Sequence, residues 1–199
     1  MSQQIIDLAC PSCGAQVSTS RKQCEYCKNP IVISSFNSVF SMPLLEVNKY
    51  AGAYRKALAD NPDNQELNTS IAMCYLKLKL YDKAIPAFER AIEDNFDNSE
   101  TFFYAAVSLL RGQKAFVAQR ADIDKIVEYL NAALMIEPKG IYYYFLSYIK
   151  CDYFSRKYLN TTPTCEEVLQ TAKDAGVSQN DVQDLFSILG VEIPEKILF

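Results

Sequence analysis

Two Cys-x-x-Cys pairs separated by ten residues, Cys10-Pro11-Ser12-Cys13 and Cys24-Glu25-Tyr26-Cys27, constrain the start of this 199-residue chain more than any other feature. Two residues between thiolates let each pair wrap a tight turn around one ion, and two such turns complete a tetrahedron. Gly14 and Asn29, near the second Cys of each pair, tolerate the left-handed backbone such turns need. Histidine is absent, so Cys10, Cys13, Cys24 and Cys27 are the predicted ligands of one structural zinc per chain. Four thiolates fill the coordination sphere and leave no position for a catalytic water. A segment this small builds little core of its own, and the ion is expected to supply most of its folding energy. Thiol oxidoreductases also use Cys-x-x-Cys, but they place a single pair at a helix start in a larger domain.

Ile5–Ala9 before the first pair and Pro30–Ile33 after the second read as short strands. With these flanks, Cys-Pro-Ser-Cys-Gly and Cys-Glu-Tyr-Cys resemble the knuckles of a zinc ribbon over residues 1–35. That resemblance implies a fold and a metal but no particular task. Residues 36–44 then read as a linker.

Residues 65–98 carry Ala72, Tyr75, Ala84, Phe88 and Ala91, so that small side chains fall where two antiparallel helices touch. The pattern resembles a tetratricopeptide repeat, and Tyr81 to Ile92 follows it closely. Asn68 replaces the usual first-helix aromatic and Phe96 the usual proline. One period earlier, Tyr50, Tyr54, Ala57 and Pro62 mark a helix over 45–59. One period later, Phe102 and Ala106 begin another first helix, whose partner carries Ile126, Leu130, Ala133 and Pro138 about eight residues late. Gly112 to Asp122 is therefore an insertion, and a further helix runs from about Ile141 to Tyr158. The predicted architecture is mainly α: a short zinc ribbon with four cysteine ligands, a tetratricopeptide-like array of helical hairpins over 45–159, and C-terminal capping helices with an apolar tail over 160–199.

The resemblance implies an interaction adaptor that binds another protein or peptide on a concave face lined by first helices. In that register Met73, Lys77, Phe103, Val107, Arg111, Tyr142, Phe145 and Ile149 form an apolar groove bordered by charges, beside Glu66, Thr69, Glu100 and Asp152. The alternative places such aromatic side chains in the core. Thr69, Met73, Phe103 and Val107 stand where the family's carboxylate-gripping members hold Lys and Asn, so a carboxylate clamp is not expected. Cys74, Cys151 and Cys165 read as small buried hydrophobes.

Near the C-terminus, Thr164 with Glu167 forms a capping box and Ser178 with Asp181 caps the next helix, with Gly176 and Gly190 as stops. Ala172, Gly176, Val177, Val182 and Leu185 are spaced as in a DNA-binding helix-turn-helix, which supports a rival reading as a nucleic-acid-associated regulator. The helix that would read bases carries Asp181 and Asp184 and no cation, and acidic groups repel phosphates. These helices are expected to cap the last repeat. The apolar tail Val191 to Phe199 can fold back or dock on a second protomer.

The net charge is −4, dividing as about +1, −3 and −2 over residues 1–44, 45–138 and 139–199, with no basic stripe to hold a nucleic acid. Without His, a Gly-rich phosphate loop or a carboxylate pair, an enzyme is not expected. No apolar run is long enough to span a bilayer. The N-terminal residues Met1-Ser2-Gln3-Gln4 lack the charged run of an export signal. With seven cysteines, an odd number, the expectation is a reducing cytoplasm rather than a disulfide framework.

Overall fold

The computed structural model describes residues 5–93 and 96–197, so Met1–Gln4 and the last two residues of the tail, Leu198 and Phe199, lie outside them. The chain divides into two compact units, Met1–Asn95 and Phe96–Phe199. Residues 1–35, residues 36–44 and the first helical hairpin all lie in the first unit.

In the first unit, strands β1 (Asp7–Ala9) and β2 (Gln16–Ser18) pair antiparallel with Leu8 opposite Val17. The strand expected at Pro30–Ile33 is reduced to a single bridge, Gln23 to Pro30. Beyond it the chain leaves the ribbon to meet helices. It forms a short helix α1 (Phe36–Phe40) in place of a linker, followed by α2 (Leu44–Asp60), α3 (Gln65–Lys77) and α4 (Tyr81–Ile92). Helix α2 starts behind Pro43 and buries Val47, Tyr50, Ala51 and Tyr54, a stripe at helical spacing. Asn64 caps α3 by accepting from the Leu67 N–H. Ala72 of α3 and Ala84, Phe88 and Ala91 of α4 are buried, as the small-and-large repeat pattern requires.

From Leu67 to Leu76 every residue of α3 is buried, because the helix is covered on a second side by the chain leaving the ribbon. Ile31, Ile33, Phe36 and Val39 are fully interior there. The Tyr50 and Tyr54 hydroxyls donate to the carbonyls of Pro30 and Ile31, at 3.1 and 2.9 Å. Ser70 Oγ accepts from the Ile33 N–H and donates to its carbonyl, at 3.2 and 3.0 Å. Lys77 Nζ donates to the Phe40 carbonyl at 2.7 Å and lies over the Phe40 ring. A non-strand segment is tolerated in the interior because helix side chains satisfy its backbone.

In the second unit, α5 (Ser99–Leu109) is capped by Asn98, thirty-four residues after Asn64 and in the same role. The inserted segment turns once as a 3-10 helix at Ala115–Val117, and α6 (Arg120–Ile136) follows. Helix α7 (Gly140–Ile149) widens into a π-helical turn at Lys150–Phe154. That turn presents Asp152, which is buried and accepts from the Phe116 N–H at 2.9 Å and from Arg156 at 2.6 Å. The Tyr148 hydroxyl accepts from the Ala115 N–H at 3.1 Å. Two polar anchors thus hold the insertion against α7.

Helices α8 (Cys165–Asp174) and α9 (Gln179–Leu189) carry the predicted capping boxes, with Gly176 and Gly190 in the left-handed region at φ 78° and 68°. The tail folds back: Ile197 is fully buried, and the Tyr144 hydroxyl donates to its carbonyl at 2.8 Å. Replacing Tyr144 by Phe leaves that carbonyl buried and unpaired, and a loss of about 1–2 kcal/mol is expected by urea unfolding. An unchanged midpoint would mean that this hydrogen bond contributes nothing to stability. Cys151 and Cys165 are joined as a disulfide with Cα atoms 5.3 Å apart, correcting their reading as independent buried hydrophobes. Cys74 fits that reading, being fully interior with burial pushing its thiol up to about 12.

Candidate metal centre and partner surface

The Sγ atoms of Cys10, Cys13, Cys24 and Cys27 all lie within 4.8 Å of one another. Cys10 to Cys27 is 3.7 Å and Cys13 to Cys24 is 3.8 Å. A tetrahedron with metal–sulfur bonds of about 2.3 Å has edges of about 3.8 Å, so the donor set fits zinc.

Each pair sits in the same local turn. In the first, the Gly14 N–H donates to the Cys10 carbonyl and the Cys10 N–H to the Ala15 carbonyl. In the second, the Lys28 N–H donates to the Cys24 carbonyl and the Cys24 N–H to the Asn29 carbonyl. The left-handed residues are Gly14 (φ 81°) and Lys28 (φ 63°). Asn29 was expected in that role. Instead its Nδ2 donates to Ser12 Oγ at 2.6 Å, tying one knuckle to the other. Ser12 lies inside the first Cys pair and Asn29 two residues beyond the second, so the repeat of the pair carries no signal for this bond.

Electrostatics favour a cation here. Backbone N–H groups of Cys27 and Tyr26 point at Cys24 and bring its thiol down to about 7. Cys13 receives the Ala15 N–H, yet desolvation and its three sulfur neighbours push it up to about 12. Four sulfurs this close cannot all ionise without an opposing charge, which a divalent ion would supply.

The predicted partner surface is rearranged. Met73, Phe103, Val107, Tyr142, Phe145 and Ile149 are each no more than 4% exposed. They are core, so the open apolar groove assigned to them is corrected. In the first unit Ser70 and Lys77, on either side of buried Met73 along α3, bond to the chain at Ile33 and Phe40. In the second, α5 and α7 pack on each other directly: Phe103 stacks on Tyr142 at 4.7 Å and meets Phe145 edge-on at 5.8 Å. Of the bordering charges, Lys77 is half-buried, Arg111 is exposed with a left-handed backbone, and Asp152 is interior. Ser70, Tyr50 and Tyr54, which hold the ribbon segment, were missed as a group. Their polar atoms on apolar helix faces were the available signal.

Residues 51–102 match the tetratricopeptide repeat family. Two solved structures of MamA are similar to the chain. The one designated MSR-1 C2 is 18% identical, covering 71% of this chain and 67% of that one with a TM-score of 0.44. The other, AMB-1 P212121, is 20% identical, covering 74% and 84% with a TM-score of 0.46. No curated protein sequence matches. The chain thus contains a stretch similar to the tetratricopeptide repeat and, ahead of it, four cysteines clustered as in a zinc ribbon. Among the described residues, no helix is long and apolar enough to cross a membrane.

Proposed function

We propose that this protein is a non-enzymatic adaptor that binds another polypeptide on its helical repeats, with one structural zinc per chain on Cys10, Cys13, Cys24 and Cys27. The match of residues 51–102 to the tetratricopeptide repeat carries the first part, and the sulfur tetrahedron carries the second. The ion organises the two knuckles. The segment leaving them then covers α3, so metal binding supports the first hairpin. Because the apolar register positions are interior, the partner surface is assigned to solvent-facing residues of each unit taken by itself, around Arg90 in the first and around Arg111 in the second. A reducing cytoplasm, where the four thiolates stay available to metal, is the proposed location.

Nucleic-acid binding through α8 and α9 is the rival. Val182, Leu185 and Phe186 of α9 are buried, which leaves Gln179, Asn180, Asp181, Gln183 and Asp184 facing solvent. A face with two carboxylates repels phosphates.

Native mass spectrometry is expected to show one zinc per chain, and a metal-free intact ribbon would end the zinc assignment. For the adaptor reading, a photoreactive residue placed at Arg111 or at exposed Arg90 is expected to cross-link a polypeptide in the native cell. Recovery of nucleic acid at both positions, with no cross-linked polypeptide, would overturn it. A second protomer is one of the polypeptides this experiment can identify.

A further inference from the structure

The seven cysteines divide as four in the ribbon, one interior thiol at Cys74, and the joined pair Cys151 and Cys165. We infer that this last pair is a reversible thiol–disulfide site, converted by exchange with a small disulfide such as oxidised glutathione. The interconversion clamps or releases the start of α8 on the end of α7.

Three features of the fold carry this. The two Cα atoms lie 5.3 Å apart, within the ordinary range for a disulfide. The closed loop between them includes the exposed residues 158–160 and 162–164. Lys150 Nζ, on the same π-helical turn as Cys151, donates to the Pro163 carbonyl at 2.7 Å. That bond tethers the loop beside α7 without the covalent link, so the two thiols stay within reach when reduced. The pair is also chemically unequal. Cys151 is half-buried, and a small disulfide can reach it. Cys165 is 3% exposed and is the first residue of α8, where the helix N-terminus favours its thiolate.

The Cys151 thiolate attacks one sulfur of oxidised glutathione and displaces a glutathione thiolate, leaving a mixed disulfide. The Cys165 thiolate then attacks Cys151 Sγ, forming the internal disulfide and displacing the second glutathione thiolate. The two protons given up by the cysteines end on the two glutathiones. The protein loses two electrons, which reduce one glutathione disulfide to two thiols.

The test equilibrates the zinc-loaded full chain in buffers of reduced and oxidised glutathione, quenches in acid, alkylates, and maps the peptides. The linked Cys151–Cys165 peptide is expected to dominate under oxidised glutathione and to be replaced by two alkylated peptides under reduced glutathione, with the zinc retained. The melting temperature of the second unit should rise by roughly 10 °C in the oxidised form, as expected for closing a loop of this length. Cys165→Ser is expected to accumulate glutathione on Cys151, whereas Cys151→Ser should resist modification at Cys165. The inference is overturned by separate alkylation under every buffer, by a link that persists in reduced glutathione, or by stable glutathionylation of the unaltered chain without the internal link. Since the readout in the unaltered chain decides, a variant that fails to fold leaves the test intact.

Discussion

Replacing Cys24 by Ser is expected to abolish tight metal binding and to lower the stability of the first unit by about 3–5 kcal/mol, the range for losing a structural metal or a buried network. Cys24 is fully buried, and its thiol receives the Cys27 and Tyr26 N–H groups. A serine hydroxyl does not replace a thiolate in that position, and three remaining thiolates bind the ion more weakly. The damage should reach beyond the knuckles. Ile31, Ile33, Phe36 and Val39 follow directly from the second knuckle and fill space against α3. Ser70, Tyr50 and Tyr54 hydrogen-bond to the backbone of Pro30, Ile31 and Ile33. Chelating the ion from the unaltered chain should have the same direction of effect. Thermal unfolding followed by helical circular dichroism, together with zinc content, provides the check. A zinc-free protein whose helical melting curve is unchanged would show that the ribbon is an independent module. That outcome was the natural expectation from sequence, where residues 36–44 read as a linker.

Gly140→Ala is expected to destabilise the second unit by about 2–3 kcal/mol, a drop of roughly 10 °C in melting temperature. Gly140 begins α7 where the turn between α8 and α9 crosses it. A Cβ added there would lie 2.6 Å from the Val177 backbone nitrogen and 3.0 Å from the Ala172 carbonyl oxygen. Both are backbone atoms, so relief requires moving a turn already held by the Val177 N–H to the Ala172 carbonyl. Gly52→Ala in the middle of α2 is the paired control. Nothing lies within 4 Å of its added Cβ, and removing a helical glycine should stabilise by roughly 0.5–1 kcal/mol. Opposite signs in one differential scanning experiment are the expected result. Destabilisation by both, or by neither, would remove the close approach as the cause.

Spacing within single elements was legible in the sequence. The cluster of four cysteines, the helices from Leu44 to Asp60 and from Gln65 to Ile92, the lengthened connection after Leu109, and both capping boxes depend on residues a few positions apart. Local chemistry decides such features: thiolates on tight turns, a side-chain oxygen answering free N–H groups, and an apolar residue at every helical turn. Assignments that depend on what a face meets were not available from periodicity. Met73, Phe103 and Phe145 have the spacing of one helical face, but spacing is the same whether that face meets solvent, another helix or the chain's own extended segment. Only the tertiary structure brought Ile31 to Phe40 across α3, stacked Phe103 on Tyr142, and placed Cys151 beside Cys165. The physical reason is that burial and cross-linking are properties of pairs of surfaces far apart in the chain, whereas ligand spacing and capping are properties of one stretch.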